Sequence, residues 1–187
     1  MLGRTGNNTL KKIIYRRLEN IKIESENLSK RFSKSDINIH NQSLYYSSWV
    51  YSAIHILISI DGYQSPESIS EKLLLKPNKV KEYLLSLEKI DLIKEKDGRW
   101  ALSKGSIHLP KESPMTKVNH QNWRNKAVSN SELDSDGLHY TSIQTLSYDD
   151  FKKVKERILL LLDETRSVIE PSKEEELVCM NIDWFRV

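Results

Sequence analysis

The clearest hydrophobic pattern lies in the middle of the chain and predicts three helices in succession. The first helix is indicated by apolar residues at helical spacing, which are Trp49, Ala53, Ile56, Leu57 and Ile60. Ser65 followed by Pro66 is typical of the first residues of a second, short helix that carries Ile69 and Leu73. Pro77 opens the third helix, whose inward face consists of Val80, Leu84 and Leu87.

A β-hairpin is predicted directly after the third helix. Ile93 precedes a turn at Asp97-Gly98, and Trp100 and Leu102 follow it. Asp-Gly between two strand-like runs is a strong hairpin signal, because both positions of the tight turn need a positive φ. The order helix, short helix, helix and hairpin predicts a winged helix-turn-helix over residues 46–104.

Residues 1–45 predict one basic amphipathic helix followed by a linker. Its apolar stripe consists of Leu10, Ile14, Leu18, Ile21, Leu28 and Phe32, while lysine and arginine occupy much of the remaining circumference. Residues 35–45 have no such stripe and are interpreted as the linker. The stripe fits packing against the rest of the same chain, and it also fits pairing with its copy in a dimer.

Residues 105–187 predict a small α+β unit for dimerisation or sensing. Its expected elements are a helix from about Met115 to Ser131, a strand at Leu138–Ser147, a long helix that Ser147 caps and that ends before Pro171, and a last strand over Val178–Trp184. The two strands are expected to pair, with the long helix across one face. Because two strands form a weak sheet, another segment or a second subunit is expected to complete it.

The fold class expected from these patterns is α+β, with an N-terminal helix, a central winged helix-turn-helix and a C-terminal helix/two-strand unit. Three runs of the sequence also resemble a known bacterial family: Tyr45–Leu57, Leu73–Leu102 and Leu177–Val187. The family is described as the Fibrobacter succinogenes major paralogous family and is also numerous in Bdellovibrio-type bacteria. Trp49 with Tyr51, and Asn181 with Phe185, stand where members typically carry such residues. The resemblance covers roughly residues 10–187.

This resemblance implies a transcriptional regulator, because the members are described as such. Many members carry a separate helix-turn-helix domain upstream of the winged helix. Residues 1–45 contain no second pattern of that kind, so the chain is expected to lack the upstream domain. Lys76 stands where serine or threonine often precedes the proline of the third helix.

A winged helix that binds DNA places its third helix in the major groove and its wing against the backbone. The candidate DNA-binding residues are therefore Lys76, Asn78, Lys79, Lys81, Lys96 and Arg99. Lysine suits phosphate contacts, and an asparagine amide fits an adenine edge. Against this, residues 46–110 hold nine basic and eight acidic side chains, which is less positive than a typical DNA-binding surface.

Two functions from different classes thus stay open. The first is a transcriptional regulator whose winged helix contacts duplex DNA. The second is a regulatory module that does not bind DNA and acts through homodimerisation or protein partners. A third alternative is a small-molecule sensor that uses the C-terminal unit.

Catalytic and cofactor motifs are missing from the sequence. The five histidines have no metal-ligand spacing, and no glycine-rich loop could hold a phosphate. His55 is expected to be a hydrogen-bonded, partly buried side chain. No enzyme activity, cofactor or metal is therefore expected. Without a signal sequence, a long apolar run or a second cysteine beside Cys179, the protein is expected to be cytoplasmic and to have no membrane contact.

Overall fold

The computed structural model describes residues 39–105, 107, 109–110 and 112–187. This part of the chain contains α1 (Ile39–Tyr46), α2 (Trp49–Leu57), α3 (Pro66–Leu73), α4 (Pro77–Lys89), β1 (Ile93–Lys96), β2 (Arg99–Leu102), α5 (Met115–Asn130) and α6 (Tyr148–Ile169). The two strands form an antiparallel sheet, so the described fold is α+β. The predicted helix between Leu10 and Phe32 lies outside the described residues.

The segment before α2 is helical where a linker was predicted. Residues 39–46 form α1, so the prediction of a linker over residues 35–45 is wrong from residue 39 onward. The physical reason lies at the end of α1, where the adjacent rings of Tyr45 and Tyr46 are both buried in the core. Ser48 then starts α2 as its N-cap, and its hydroxyl accepts a hydrogen bond from the backbone N–H of Val50 at 3.3 Å.

The inward face of α2 differs in part from the predicted one. Its buried residues are Val50, Ala53, Ile54 and Leu57. The prediction placed Ile56 inward, but its side chain is 50% exposed. The face is set by the neighbours, since α2 packs against α1, α4 and α5 together. Spacing within one helix does not reveal that arrangement.

The helices α3 and α4 follow the sequence prediction closely. The Ser65 hydroxyl accepts a hydrogen bond from the backbone N–H of Ser68 at 3.2 Å and so caps α3. Leu74 ends that helix in the left-handed conformation, with φ of 55°. Of the predicted apolar residues of the pair, Ile69, Val80, Leu84 and Leu87 are fully buried, and Leu73 is partly buried.

The predicted hairpin is present and forms a tight two-residue turn. Asp97 and Gly98 have φ values of 53° and 75°, as a turn with two positive φ angles requires. The strands pair so that Ile93 lies opposite Leu102 and Lys96 lies opposite Arg99. Trp100 is buried, and its backbone N–H donates to the carbonyl of Gln64 at 2.9 Å, which fastens the hairpin to the loop before α3.

The C-terminal helices agree with the prediction, whereas the C-terminal strands do not. α6 begins after Ser147, whose hydroxyl accepts from the backbone N–H of Asp150 at 3.1 Å. Neither Leu138–Ser147 nor Val178–Trp184 belongs to a sheet in the described part of the chain, so the two-strand unit is wrong for this chain on its own.

The physical reason is that an alternating pattern does not stabilise a strand without a neighbouring strand and a surface to cover. Leu138 and Ile143 are each 93% exposed, so the first segment covers no core. Side-chain contacts hold the last segment instead. The indole N–H of Trp184 donates to the carbonyl of Phe151 at 3.2 Å, and Asp183 pairs with Arg124.

Candidate nucleic-acid interface

The start of α4 carries four of the six candidate residues, all of them exposed: Lys76, Asn78, Lys79 and Lys81. Lys76 is the N-cap, and its side chain makes no capping hydrogen bond. The first turn also contains no acidic residue. The positive end of the helix dipole is therefore left without a carboxylate, an arrangement that favours an anion such as a phosphate group.

Lys79 is the one candidate in this group that forms an ion pair within the described residues. Its ammonium lies 2.7 Å from the carboxylate of Glu82, one turn further along α4. The hydrogen bond to Glu82 raises the pKa of Lys79, so Lys79 stays charged at neutral pH. Both side chains are largely exposed, so the pair adds little stability and is easily exchanged for a phosphate.

The other two candidates, Lys96 and Arg99, lie directly opposite each other at the end of the hairpin. Like charges at opposing positions of two strands repel each other. The guanidinium of Arg99 is held by the side-chain carbonyl of Gln64 at 2.9 Å. Gln64 in turn donates to the backbone carbonyls of Ile58 and Ile60 at 3.0 and 2.6 Å. The hairpin thus carries three exposed basic side chains, Lys94, Lys96 and Arg99, beside the exposed acidic side chains of Glu95 and Asp97, and Arg99 is held in place.

Two nearby acidic side chains are occupied by structural hydrogen bonds. Glu88 accepts from the backbone N–H of Glu95 at 3.3 Å, and Asp91 accepts from the hydroxyl of Ser103 at 2.9 Å. These carboxylates lie at the base of the hairpin. Among the acidic residues near α4, Glu82 is the one that pairs with a candidate lysine in the described structure.

Four aromatic residues, Tyr45, Tyr46, Trp49 and Tyr51, lie close together in the sequence, which predicts a core at the junction between two elements. The predicted partner of this core, the N-terminal helix, lies outside the described residues, and in the described part of the chain the rings join α1 and α2 to α4 and α5. Between ring centroids, Trp49 lies 6.1 Å from Trp123, and Tyr51 lies 4.8 Å from Tyr83.

Sequence reasoning missed several contacts that connect distant segments. Gln64 fixes Arg99, the side-chain amide of Asn122 donates to the carbonyl of Tyr46 at 3.0 Å, and Arg124 pairs with Asp183. Their partners are 35, 76 and 59 positions apart. No local pattern signals such pairs, so only the fold reveals them.

The chemical groups of this surface are those that bind anions. In the described ranges, no group of three histidine, cysteine, aspartate or glutamate side chains could hold a metal ion. No described helix is long and apolar enough to cross a membrane. The site is built from basic and amide side chains, and these bind anions and hydrogen-bonding partners.

Comparison with known proteins gives one match. Neither the curated proteins nor the solved structures include a match to this chain. A family model, described as a domain of unknown function (DUF4423), matches residues 20–187. Since that range covers most of the sequence, including every described helix and strand, the chain belongs to the DUF4423 family.

Proposed function

We propose that the protein is a transcriptional regulator in which α3, α4 and the hairpin form a winged helix that contacts duplex DNA. The observation that carries the proposal is positive charge at two exposed ends of this unit. One is the uncapped first turn of α4, and the other is the Lys96–Arg99 pair of the hairpin. An element order of helix, turn, helix and hairpin supports the same interpretation.

In the proposed complex, the start of α4 lies in the major groove. Lys76, Lys79 and Lys81 contact phosphates, and Asn78 reads an adenine edge. The hairpin contacts the neighbouring backbone through Lys96 and Arg99. Lys79 exchanges the carboxylate of Glu82 for a phosphate, which requires little free energy because the pair is exposed to water.

The resemblance to the Fibrobacter succinogenes major paralogous family supports the regulatory role, since its members are described as transcriptional regulators. We also propose a cytoplasmic location, where a regulator of this kind meets DNA.

The test is a titration of the protein into labelled duplex DNA, followed by fluorescence anisotropy at several salt concentrations. We expect binding that weakens with salt. A variant with Lys79, Lys81 and Arg99 changed to Ala should bind about tenfold or more weakly. Its salt slope should fall by roughly 0.9 for each phosphate that the variant no longer binds.

A matched control removes the same charge elsewhere, with Lys117, Lys152 and Lys173 changed to Ala; all three are exposed. This variant should keep most of its affinity if the interface is local. Equal losses in the two variants would indicate non-specific attraction to positive charge. No binding by the unchanged protein at low salt would overturn direct DNA contact.

A second candidate function has its own supporting observation. Large apolar side chains are exposed throughout residues 138–187, including Leu138, Tyr140, Ile143 and Val178. Exposed apolar surface of this extent is typical of protein interaction sites. If the DNA titration is negative, a module that acts through a protein partner becomes the favoured function.

A further inference from the structure

Gln64 lies in the loop between α2 and α3, and hydrogen bonds occupy its side-chain amide completely. The amide nitrogen donates to the backbone carbonyls of Ile58 and Ile60 at 3.0 and 2.6 Å. The amide oxygen accepts from the backbone N–H of Gly62 at 3.0 Å and from the guanidinium of Arg99 at 2.9 Å. Because a side-chain amide has two N–H donors and an oxygen with two lone pairs, none of its hydrogen-bonding capacity is left. The loop therefore fixes the orientation of this amide.

The backbone of Gln64 holds the next residue of the hairpin as well. The backbone N–H of Trp100 donates to the Gln64 carbonyl at 2.9 Å, and the Trp100 side chain is buried. One loop residue thus binds two consecutive residues of β2, one through its side chain and one through its backbone. A substitution at position 64 retains the backbone attachment of the hairpin, and it changes what holds the side chain of Arg99.

Arg99 is held by a neutral group, so its positive charge is not cancelled. Its side chain is exposed and forms no ion pair with any residue in the described ranges. The acidic side chains of the hairpin, Glu95 and Asp97, are also exposed and do not pair with it. A carboxylate in place of the Gln64 amide would hold the guanidinium too, but it would form an ion pair that an incoming anion has to displace.

The guanidinium also keeps hydrogen-bonding capacity for a partner. Within the described residues it makes one hydrogen bond, from Nη2 to Gln64. An arginine side chain has several further N–H donors, and these suit the oxygens of a phosphate group. Arg99 is therefore fixed in orientation while its charge and most of its donors are available to an anion.

We propose that Gln64 is a positioning residue of the DNA interface, whose amide orients the Arg99 guanidinium toward a phosphate without neutralising it. This inference rests on the proposed function, since duplex DNA supplies the phosphate. A side chain that is ordered before binding loses less conformational freedom in the complex, so preorganisation strengthens binding. Gln64 acts through Arg99 and needs no contact of its own with the DNA.

The test compares two substitutions at position 64 by fluorescence anisotropy with labelled duplex DNA at low salt. Gln64→Met keeps the length of the side chain and removes its hydrogen bonds, so Arg99 becomes mobile and affinity should fall about threefold. Gln64→Glu places a carboxylate beside the guanidinium, and affinity should fall about tenfold because DNA has to displace an ion pair. The matched controls Gln121→Met and Gln121→Glu, at an exposed position of α5, should each change affinity by less than about twofold.

A double-mutant cycle separates the positioning role from a merely structural one. In an Arg99→Ala background, Gln64→Met should cause almost no further loss of affinity, because the residue that Gln64 positions is absent. In a Lys96→Ala background, Gln64→Met should still weaken binding about threefold, since the Gln64 amide does not bond to Lys96. A residue that merely stabilised the loop would cause equal losses in the two backgrounds. Urea denaturation of each variant checks that it is folded under the binding conditions.

A second measurement needs no DNA. NMR relaxation of the Arg99 Nε–H group reports how ordered the guanidinium is on the picosecond to nanosecond timescale. In the unchanged protein this group should be ordered. In Gln64→Met it should be as mobile as the side chain of Arg157, which is exposed on α6.

Two results would overturn the inference while leaving the proposed function intact. One is a loss of affinity in Gln64→Met that is equally large in the Arg99→Ala and Lys96→Ala backgrounds. The other is an Arg99 side chain that is equally mobile in the unchanged protein and in Gln64→Met. If the unchanged protein binds no DNA at low salt, the proposed function fails, and the role of Gln64 in DNA binding fails with it.

Discussion

The hydroxyl of Tyr45 lies 3.0 Å from Nδ1 of His55, and this contact joins the end of α1 to the middle of α2. The rings meet edge to face, with 5.7 Å between their centroids. Burial raises the pKa of Tyr45, so its hydroxyl keeps its proton and is able to donate to Nδ1. The other ring nitrogen then carries the proton and hydrogen-bonds to the backbone of Leu92. These two hydrogen bonds require the neutral form of the His55 imidazole.

The first prediction concerns the pH dependence of stability. Burial lowers the pKa of His55 below its ordinary value of about 6.5, and the backbone of Leu92 only partly opposes this shift. The unfolded state therefore binds a proton more readily. As the pH falls from about 6.5 through the lowered pKa of the folded state, the free energy of unfolding should decrease.

Urea denaturation at pH 7.5 and at pH 5.5 measures this effect. In a His55→Gln variant, the difference in the free energy of unfolding between pH 7.5 and pH 5.5 should be smaller. Tyr45→Phe serves as a second variant, because it removes the hydroxyl but retains the titrating ring. If the pH dependence of stability is unchanged in His55→Gln, titratable groups other than His55 cause it.

The second prediction contrasts two adjacent leucines of α4. Leu84 is fully buried, and Leu85 is 51% exposed. Leu84→Ala leaves a cavity and should lower the free energy of unfolding by about 2–5 kcal/mol. Leu85→Ala removes the same atoms from a site in contact with water and should lower it by less than about 1 kcal/mol. Similar losses in urea denaturation would mean that α4 packs with another face.

The third prediction concerns Gly105, which lies against the backbone at the start of the hairpin. A Cβ atom at this position would overlap the carbonyl oxygen of Asp91, and a backbone atom cannot move aside like a flexible side chain. Gly105→Ala should therefore lower the free energy of unfolding by about 1–3 kcal/mol. Lys104→Ala, at the exposed neighbouring position, should change it by less than about 0.5 kcal/mol in the same thermal or urea experiment.

The fourth prediction tests the role of Glu82 in the proposed DNA interface. Glu82→Gln removes the carboxylate that pairs with Lys79 at 2.7 Å and that would repel phosphates. Affinity for duplex DNA at low salt should rise by about threefold, and the gain should shrink as salt is added. Glu132→Gln changes the net charge equally at an exposed position after α5 and should have a smaller effect. A weaker affinity in Glu82→Gln would mean that Glu82 contacts the DNA directly.

Sequence patterns predicted the elements whose determinants are local. The proline at the start of α4, the spacing of Val80, Leu84 and Leu87, and the Asp97-Gly98 turn are each decided within a few residues, and the structure agrees with all of them. The inward face of α2 was wrong at Ile56, because three neighbouring helices determine that face.

The candidate site could be predicted in part for the same reason. The exposure of Lys76, Asn78, Lys79 and Lys81 follows from their positions on α4 away from its buried face. The anchor of Arg99 could not be predicted, because Gln64 is 35 positions away. The prediction of two C-terminal strands was wrong, because strand formation depends on a partner strand and the alternating pattern does not identify one.

The position of the buried core along the chain has a consequence for synthesis. Every buried apolar residue of the described chain lies between Tyr45 and Trp100. The contacts among these buried residues all lie within this one stretch of sequence, which favours rapid folding, although α5 also packs on α1 and α2 from outside it. Because folding proceeds from the N-terminal side as the ribosome adds residues, the core has the means to form before α6 has been translated. The nascent chain then adds α6, a helix of 22 residues of which none is buried, to a unit that is already folded.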